Sequence, residues 1–252
     1  MIRRIGFALI VLLTICLFAM TLRADQPTDN DAVVTIIQGT ARIYEKGATN
    51  GHLIKKGDIL RNDQEVRVAE KSRLEIHFPD GTVMRLSEKS IFKMNALSFN
   101  KQTKDKKVKA DLSIGKLWAK VIKLSTPDST VEVRTSNAVA GVRGTVYRVN
   151  VEDDRSTVVK VYDGSVYVAN PPRDESKPFE KAIVPHEVAG PHEVPPPTHQ
   201  VSMEEWTTIV KAMQQISISP QGVPSKPEDF DPKADADEWV KWNQERDKET
   251  QF

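Results

Sequence analysis

Apolar and polar residues alternate along most of the chain between residues 32 and 170, and this period of two limits the fold more than any other feature. Successive side chains of a β-strand point to opposite faces, so each such run predicts a strand with one buried face. Glycine and polar turns separate the runs, and their many β-branched residues suit a pleated surface. The clearest runs are "LEIHF" (74–78), "MRL" (84–86), "VEV" (131–133), "VNV" (149–151) and "VYV" (166–168). The sequence therefore predicts an all-β domain of short antiparallel strands and hairpins, stacked as a β-sandwich or a solenoid-like β-roll.

Two Asp-Gly turns lie in similar surroundings. The stretch "FPDGTVMRL" (residues 78–86) resembles "VYDGSVYVA" (residues 161–169), and the residues before each also match. Asp-Gly favours a two-residue hairpin because both central residues of a type I′ turn have positive φ. We therefore predict a hairpin at Asp163 and Gly164, and a longer loop at the first turn because it contains Pro79. We interpret the two stretches as related β units that share a core; the alternative is two ordinary hairpins that look alike by chance.

The stretch "NAVAGVRGTVYRV" (residues 137–149) places Arg143 between Gly141 and Gly144 immediately before an alternating strand. A phosphate-binding loop needs its glycines before a lysine and a helix, and a nucleophile elbow needs a serine between a strand and a helix. Neither pattern fits, because these glycines open a strand and an arginine takes the middle position. Small residues allow a sharp bend or a close approach of two backbones. We therefore expect a structural corner, with Arg143 bonded to oxygen atoms of the protein; a ligand carboxylate or phosphate is the alternative partner.

The first 24 residues have the composition of an export signal. Arg3 and Arg4 precede an apolar stretch over residues 5–22, and Ala24 stands before a polar, acidic start. This order is typical of a secretory signal peptide and predicts a periplasmic or secreted protein. The same stretch is long enough for a short membrane helix, and Arg23 is a poor neighbour for a cleavage site. An uncleaved inner-membrane anchor over residues 5–22 is therefore the alternative.

Cysteine content and charge exclude several classes of site. Cys16 is the only cysteine and lies within the signal segment, so residues 25–252 contain no disulfide, thiolate metal site or cysteine nucleophile. Without residues 1–24 the net charge changes from +1 to −2, because three arginines and no acids are removed. A chain so close to neutral has no bulk attraction to nucleic acid. The stretch from Lys101 to Lys109 lacks interleaved aromatics, so we interpret it as a solvated hairpin loop or edge; a site for an anionic polymer is the alternative.

Residues 171–200 are rich in proline and predict a stiff, extended connector. They contain His186, His192 and His199 with two glutamates nearby, so a metal-assisted enzyme is one hypothesis. The histidine spacing matches no helical pair of ligands, and a proline-rich segment does not form a rigid cage. We therefore expect no metal site and no cofactor. No other serine, histidine or acidic residues form a catalytic pattern, so we expect a protein that is not an enzyme.

After the connector, the sequence turns to a helical pattern. Ser202 and Glu205 have the spacing of a capping box, which predicts a helix from Ser202 to about Ile216. One face of this helix would be apolar. Its members are Trp206, Ile209, Val210, Met213 and Ile216.

A second short helix is predicted near residues 235–246. It carries Trp239 and Trp242, three residues apart on one side. Together with Trp206, three of the four tryptophans thus lie in the tail. The apolar faces either dock on the β domain or form a partner-binding handle through these three tryptophans.

Three stretches resemble the FecR domain family. They are "GDILRNDQEVRVAEKSRLEIHFPDGTVMRLSEKS" (57–90), "LSIGKLWAKV" (112–121) and the region over 133–168. The last is the most specific, because it contains "TSNAVAGVRGT" followed by a strand and a closing glycine turn. The resemblance covers the β region. It implies four signature positions at the corner before the strand, and their role is either structural or ligand-binding. They are Gly141, Arg143, Gly144 and Thr145.

The resemblance implies a non-catalytic, all-β domain of the cell envelope. In the founding members this domain is periplasmic and relays the state of an outer-membrane receptor, through a membrane helix, to a cytoplasmic anti-sigma segment. This sequence has four residues before its apolar stretch, so we expect no anti-sigma segment in this chain. Direct regulation of a sigma factor would then need a second chain.

These observations predict a non-catalytic, periplasmic FecR-like binding or scaffold module that contacts another envelope protein or a glycan, and not nucleic acid. The alternative is an envelope sensor subunit that acts with a second chain in transmembrane signalling. Membrane contact is expected only through an uncleaved N-terminal segment. The predicted parts are a signal segment (1–24), an all-β domain (31–170), a proline-rich connector (171–200) and a helical tail (201–252).

Overall fold

The computed structural model describes residues 31–100, 102–123, 126, 129–142, 144–171 and 206–249. Almost all regular structure in these residues is β, and one helix follows near the end. The predicted all-β fold with a short C-terminal helix is therefore confirmed. The predicted signal segment, and the connector after Pro171 with its three histidines, lie outside the described residues. In the described ranges, no helix is long and apolar enough to cross a membrane.

Seventeen strands and one helix make up the described chain. The strands are β1 (Ala32–Gln38), β2 (Ala41–Tyr44), β3 (His52–Leu53), β4 (Ile59–Leu60), β5 (Glu65–Val68), β6 (Arg73–His77), β7 (Val83–Leu86), β8 (Ile91–Phe99), β9 (Lys106–Val121), β10 (Thr130–Arg134), β11 (Val139–Val142), β12 (Thr145–Val151), β13 (Thr157–Asp163), β14 (Ser165–Ala169), β15 (Thr207–Lys211), β16 (Gln214–Ile218) and β17 (Glu228–Asp229). The helix is α1 (Glu238–Glu249).

The strands form two sheets with a shared apolar core between them. Sheet A has the spatial order β4–β1–β6–β7–β9–β12–β13–β16–β17. Sheet B has the order β3–β2–β5–β8–β9–β10–β11–β14–β15. All neighbouring strands are antiparallel except β9 and β10, which are parallel. The chain therefore crosses repeatedly between the sheets, as in a β-roll.

Strand β9 belongs to both sheets. Its residues up to Ile114 pair with β8, and those from Gly115 onward pair with β12 and then β7. Gly115 stands at the crossing with a φ of 96°. A Cβ atom there would lie 2.6 Å from the Cα atom of Ser90. Because only glycine fits this conformation and this space, Gly115 permits the bend that joins the sheets.

The main core lies between the sheets, and a second, smaller cluster lies outside sheet A. Inward-facing residues such as Leu74 and Leu117 are completely buried in the main core. Each such burial stabilises the fold by about 1.5–3 kcal/mol. The smaller cluster contains Trp118, Tyr162 and Val240. It lies on the outer face because Trp118 alternates with core residues along β9.

The first Asp-Gly turn forms the predicted hairpin with the predicted longer loop. Strands β6 and β7 are antiparallel neighbours, and Ile76 pairs with Met84. The backbone N–H of Phe78 donates a 2.9 Å hydrogen bond to the carbonyl oxygen of Thr82 and closes the loop. The loop also contains Pro79, which cannot donate a backbone hydrogen bond and so favours a loop over a tight turn.

The hairpin predicted at the second Asp-Gly turn is wrong. Strand β13 pairs with β12 and β16 in sheet A, whereas β14 pairs with β11 and β15 in sheet B. Gly164, with a φ of 81°, therefore turns the chain from one sheet to the other. Of the two positive φ values that a type I′ turn needs, only that of Gly164 is present. Other strands occupy both hydrogen-bonding edges of β13. The two similar stretches thus differ in how their strands pair.

The helix predicted through Ile216 is also wrong. From residue 207 the chain forms β15 and β16, which extend sheet B and sheet A respectively. Val210 and Ile216 are buried in the main core, but Ile209 and Met213 of the predicted helical face are 60% and 43% exposed. The open edges of β14 and β13 supply backbone hydrogen-bond partners, and this run is rich in β-branched residues. Tertiary pairing therefore overrides the helical spacing. The capping box at Ser202 and Glu205 lies outside the described residues.

The second predicted helix is confirmed as α1. The Asp237 carboxylate caps its first turn by accepting a 2.7 Å hydrogen bond from the backbone N–H of Val240. Val240 is completely buried and packs in the small cluster outside sheet A. The sequence left open whether the tail docks on the β domain or forms a partner-binding handle. In the structure, α1 docks on the β-strands.

Candidate functional site: the outer face of sheet A

A row of charged and aromatic side chains crosses the outer face of sheet A. Glu75 of β6 lies beside Arg85 of β7, which lies beside Trp118 of β9. Arg148 of β12 and Lys160 of β13 continue the row. The neighbours of each residue along its strand are core residues, so these five side chains point away from the core. We call them the cross-strand row.

The cross-strand row is covered by the C-terminal segment, the name used here for residues 230–249. Glu75, Arg85 and Trp118 are almost completely buried, and Arg148 is 4% exposed. Charged side chains are rarely buried to this extent unless they are paired. The alternation of β6 and β7 predicted two faces but gave no sign that the polar face would be covered.

Glu75 and Arg85 are the centre of one ionic cluster. The Nε of Arg85 donates to Glu75 at 2.7 Å, and its Nη1 donates to Asp247 of α1 at 2.6 Å. Arg246 of α1 also contacts Glu75, at 3.3 Å. Burial alone would raise the pKa of Glu75, but hydrogen bonds from His77, Arg85, Thr35 and Arg246 hold this pKa far below its ordinary value. Glu75 is therefore a buried carboxylate held ionised by cations from the sheet and the helix.

Asp235 is the centre of a second ionic cluster. Its Oδ1 accepts hydrogen bonds from Arg148 at 2.9 Å and from Lys160 at 2.7 Å. Its Oδ2 accepts a short hydrogen bond from the hydroxyl of Tyr162. Burial alone would raise the pKa of Asp235, but the hydrogen bonds from Lys160 and Tyr162 and the charges of Arg148 and Lys160 lower it. One carboxylate of the C-terminal segment thus contacts two cations of the sheet.

Aromatic contacts lie between the two ionic clusters. The Trp118 and Tyr162 rings are 4.5 Å apart between centroids, and Phe230 packs edge-on against Tyr162 at 5.4 Å. Trp118 also donates its indole N–H to Asp247 at 3.0 Å. The outer face of sheet A therefore offers aromatic surface and cationic groups side by side, and the C-terminal segment contacts both.

Several polar atoms at this interface have no hydrogen-bond partner. Among the described residues, seven buried side-chain polar atoms lack one, and four of them belong to the cross-strand row or the C-terminal segment. These four are Arg85 Nη2, Arg148 Nε, Trp239 Nε1 and Asn243 Oδ1. Each unsatisfied buried group lowers the stability of the fold by about 1–3 kcal/mol. The contacts between the segment and sheet A therefore leave some buried polar atoms without a hydrogen bond.

The three tail tryptophans proposed as a handle all contact the protein itself. Trp206 packs against the main core and donates its indole N–H to the carbonyl oxygen of Gly222 at 3.1 Å. Trp239 stacks on Trp242 with centroids 5.4 Å apart, and Arg73 lies 4.9 Å above the Trp242 ring. All three side chains are partly buried. A partner-binding role for them stays a prediction.

Two of the signature residues, Gly144 and Thr145, lie at a corner between the sheets. Gly144 has a φ of 70°, and a Cβ atom there would lie 2.9 Å from the Cα atom of Lys123. Gly164 forms the neighbouring corner, since its Cβ would lie 2.6 Å from the Gly144 carbonyl oxygen. Thr145 is buried and donates a 2.9 Å hydrogen bond to the carbonyl oxygen of Ser165.

The other two signature positions are less informative. A Cβ at Gly141 would meet no atom closer than 3.8 Å, so its backbone and its space accept a side chain. Arg143 lies outside the described residues, and its role at the corner remains a prediction. Gly144 and Thr145 thus lie where the chain turns between the sheets, and the role of the signature stays a prediction.

The lysine-rich stretch forms the predicted hairpin loop, between β8 and β9. Lys106 points inward, is 4% exposed, and forms a short ion pair with Asp80. Lys109 pairs with Glu132 at 2.8 Å. The loop therefore presents fewer free positive charges than the sequence suggests, although Lys104 and Lys106 do line a pocket of about 290 Å³.

Within the described ranges, no group of three or more histidine, cysteine, aspartate or glutamate side chains could hold a metal ion. The main chemical capacity of the outer face of sheet A is recognition, because it combines fixed cations, one fixed carboxylate and aromatic rings. The residues that form it were not singled out from the sequence. The alternation along each strand could have identified them, because it places all of them on the face that points away from the core.

Residues 64–167 match the FecR protein family. This part of the chain is therefore similar to a FecR domain. The matched region begins one residue before β5 and ends within β14, so it contains the whole cross-strand row and the signature corner. The C-terminal segment lies outside the matched region.

Two crystal structures of a protein described as a candidate anti-sigma factor from Parabacteroides distasonis are weakly similar to this chain. One has 16% sequence identity and a TM-score of 0.45, and the other has 15% and 0.43. In both, the match covers 66% of this chain and 60% of that chain. The match thus spans less than two thirds of that protein. No curated protein matches this sequence.

Proposed function

We propose that this protein is a non-catalytic binding or scaffold module of the cell envelope, which is exported by its N-terminal segment and contacts another envelope protein. The FecR domain over residues 64–167 is the observation that carries this proposal. FecR domains are associated with the cell envelope, and the composition of residues 1–24 fits export. A glycan is the other class of partner that the capture experiment below distinguishes.

The open edge of sheet B is the surface on which we expect an extended partner segment to bind. Within the described residues, β15 pairs on one side only, with β14. Ile209 of β15 lies directly beside Tyr167 of β14, and these side chains are 60% and 50% exposed. An edge strand offers unpaired backbone groups, and adjacent exposed apolar side chains offer a place for partner side chains.

A crosslinked capture from envelope extract tests this function, with residues 25–252 as bait. The Ile209→Lys variant adds a charge to the β15 edge, and we expect it to lower partner recovery by about tenfold or more. The matched control is Leu53→Lys, since Leu53 is also apolar, 52% exposed and on the opposite edge strand of sheet B. The control is expected to capture the partner as the wild type does.

Each other outcome has a distinct meaning. If the wild type captures no specific protein or glycan, the binding function itself is contradicted. If both variants capture the same protein equally, the function stands but the β15 edge is not its surface. Retention of a polysaccharide in place of a protein would assign the partner to the glycan class.

A further inference from the structure

The charges on the two sides of the C-terminal segment interface are strongly complementary. Six cationic side chains of sheet A contact the segment: Arg73, Arg85, Lys116, Lys120, Arg148 and Lys160. The segment places four carboxylate residues against them: Asp235, Asp237, Glu238 and Asp247. Without the segment, these six cations and the single carboxylate of Glu75 would give this face a net positive charge, with the Trp118 and Tyr162 rings at its centre. Such a surface attracts acidic ligands.

The C-terminal segment is held by these polar contacts and by a small apolar cluster to which Phe230 and Trp239 also belong. The buried residues of α1 are Val240 and Asn243. Val240 belongs to the small outer cluster and not to the main core. Detachment of the segment would therefore leave the core between the sheets intact, as expected of a unit that opens locally.

The fit between segment and sheet is incomplete. Arg85 and Arg148 each keep one buried guanidinium nitrogen without a partner, and Trp239 and Asn243 of the segment keep one unpaired polar atom each. An occupant that bonded the two guanidinium nitrogens would recover the free energy they cost, and detachment would expose the Trp239 and Asn243 atoms to water. A partner can thus compete with the segment even though the segment is covalently attached.

We propose that the outer face of sheet A is a binding face for an acidic segment of a partner protein, and that residues 230–249 occupy it as an internal competitor. The partner segment would place carboxylates near Arg85 and near Arg148 and Lys160, where Asp247 and Asp235 now lie. This inference goes beyond the proposed function, which requires only the edge of sheet B.

The test uses a synthetic peptide of residues 230–249 as the probe and the full chain as the receptor. The double variant Asp235→Asn, Asp247→Asn weakens the internal competitor, and we expect it to bind the peptide at least about tenfold more tightly than the wild type. The control Glu245→Gln removes a carboxylate from an exposed position of the same helix and should bind as the wild type does. A peptide carrying the same two asparagines should not bind.

Equal peptide affinity for the wild type and the double variant would overturn the proposal. Tighter binding of heparin than of the peptide would overturn the assignment to an acidic polypeptide. Hydrogen exchange in the wild type gives a second test that needs no variant: amides of α1 should exchange at least about tenfold faster than those of β7, β9 and β12. Exchange of α1 as slow as that of the strands would overturn the proposal. Peptide binding to sheet A does not depend on the β15 edge that the Ile209→Lys variant tests. Either proposal can therefore fail while the other stands.

Discussion

At the scale of single residues, the backbone conformation requires glycine at position 144 of the signature but not at position 141. Gly144 has a positive φ, and the backbone of Lys123 occupies the position where a Cβ would stand. Gly141, three residues earlier, lies in β11, and a Cβ there would meet no atom closer than 3.8 Å. The corner therefore depends on Gly144, and the free side of Gly141 lies beside Tyr167 of the adjacent strand.

We predict that Gly144→Ala lowers the free energy of unfolding by about 1–3 kcal/mol, because an L-residue is strained at this φ and its Cβ meets backbone. The matched variant Gly141→Ala should change it by about 0.5 kcal/mol or less. Urea unfolding followed by circular dichroism measures both values. Equal losses for the two variants would show that the corner is not the strained position.

At the scale of elements, the C-terminal segment is attached to sheet A through ionised carboxylates. Glu75 on the sheet and Asp235 on the segment both have a pKa below the ordinary carboxyl value. A group whose pKa is lower in the folded state stabilises that state above its unfolded pKa. The stabilisation is lost as the pH falls through the folded pKa.

We therefore predict that the C-terminal segment stays docked from pH 7 down to about pH 5 and detaches only below about pH 4, near and under the ordinary carboxyl pKa. Trp118 and Trp239, which lie in or against the small outer cluster, report the detachment through tryptophan fluorescence. Low salt should be used, because salt screens the partly exposed pairs such as Arg73–Glu238. Detachment between pH 5 and 7 would contradict this explanation, since the carboxylates remain ionised there.

At the scale of the whole molecule, the strands after the connector complete the sandwich. Val210, Ile216 and Ile218 are completely buried and belong to the main core. Strands β15 and β16 also cover the edges of β14 and β13. The C-terminal segment, in contrast, adds a separate outer layer. The residues after the connector thus make two different contributions to the fold.

We predict that a chain ending at Asn170 loses cooperative unfolding and binds the dye ANS, because it exposes the apolar edge of the main core. A chain ending at Asp229 keeps β15, β16 and β17 and should unfold cooperatively without binding ANS. Near-ultraviolet circular dichroism and ANS fluorescence distinguish the two outcomes. If the chain ending at Asn170 folds as well as the longer one, the sandwich does not need the strands after the connector.

Local patterns in the sequence determined much of the fold. The alternation around Leu74 and Ile76 predicted strands with one buried face, and these side chains are completely buried. Pro79 predicted a longer loop in the first hairpin, and the pattern near residues 235–246 predicted a helix that includes Trp239 and Trp242. Each of these features depends on neighbours within a few residues, which is why the sequence alone was sufficient.

Pairing between distant segments decided the rest. Gly164 has the positive φ that the Asp-Gly pattern predicts, but Asp163 does not, and the strands on either side pair in different sheets. The helical spacing around Ile209 gave way to β pairing at open sheet edges. Glu75 is buried because Arg246, 171 residues further along the chain, brings α1 over it. Alternation shows that a strand has a polar face, but only the tertiary structure decides what covers that face, since the covering residues are far away in sequence.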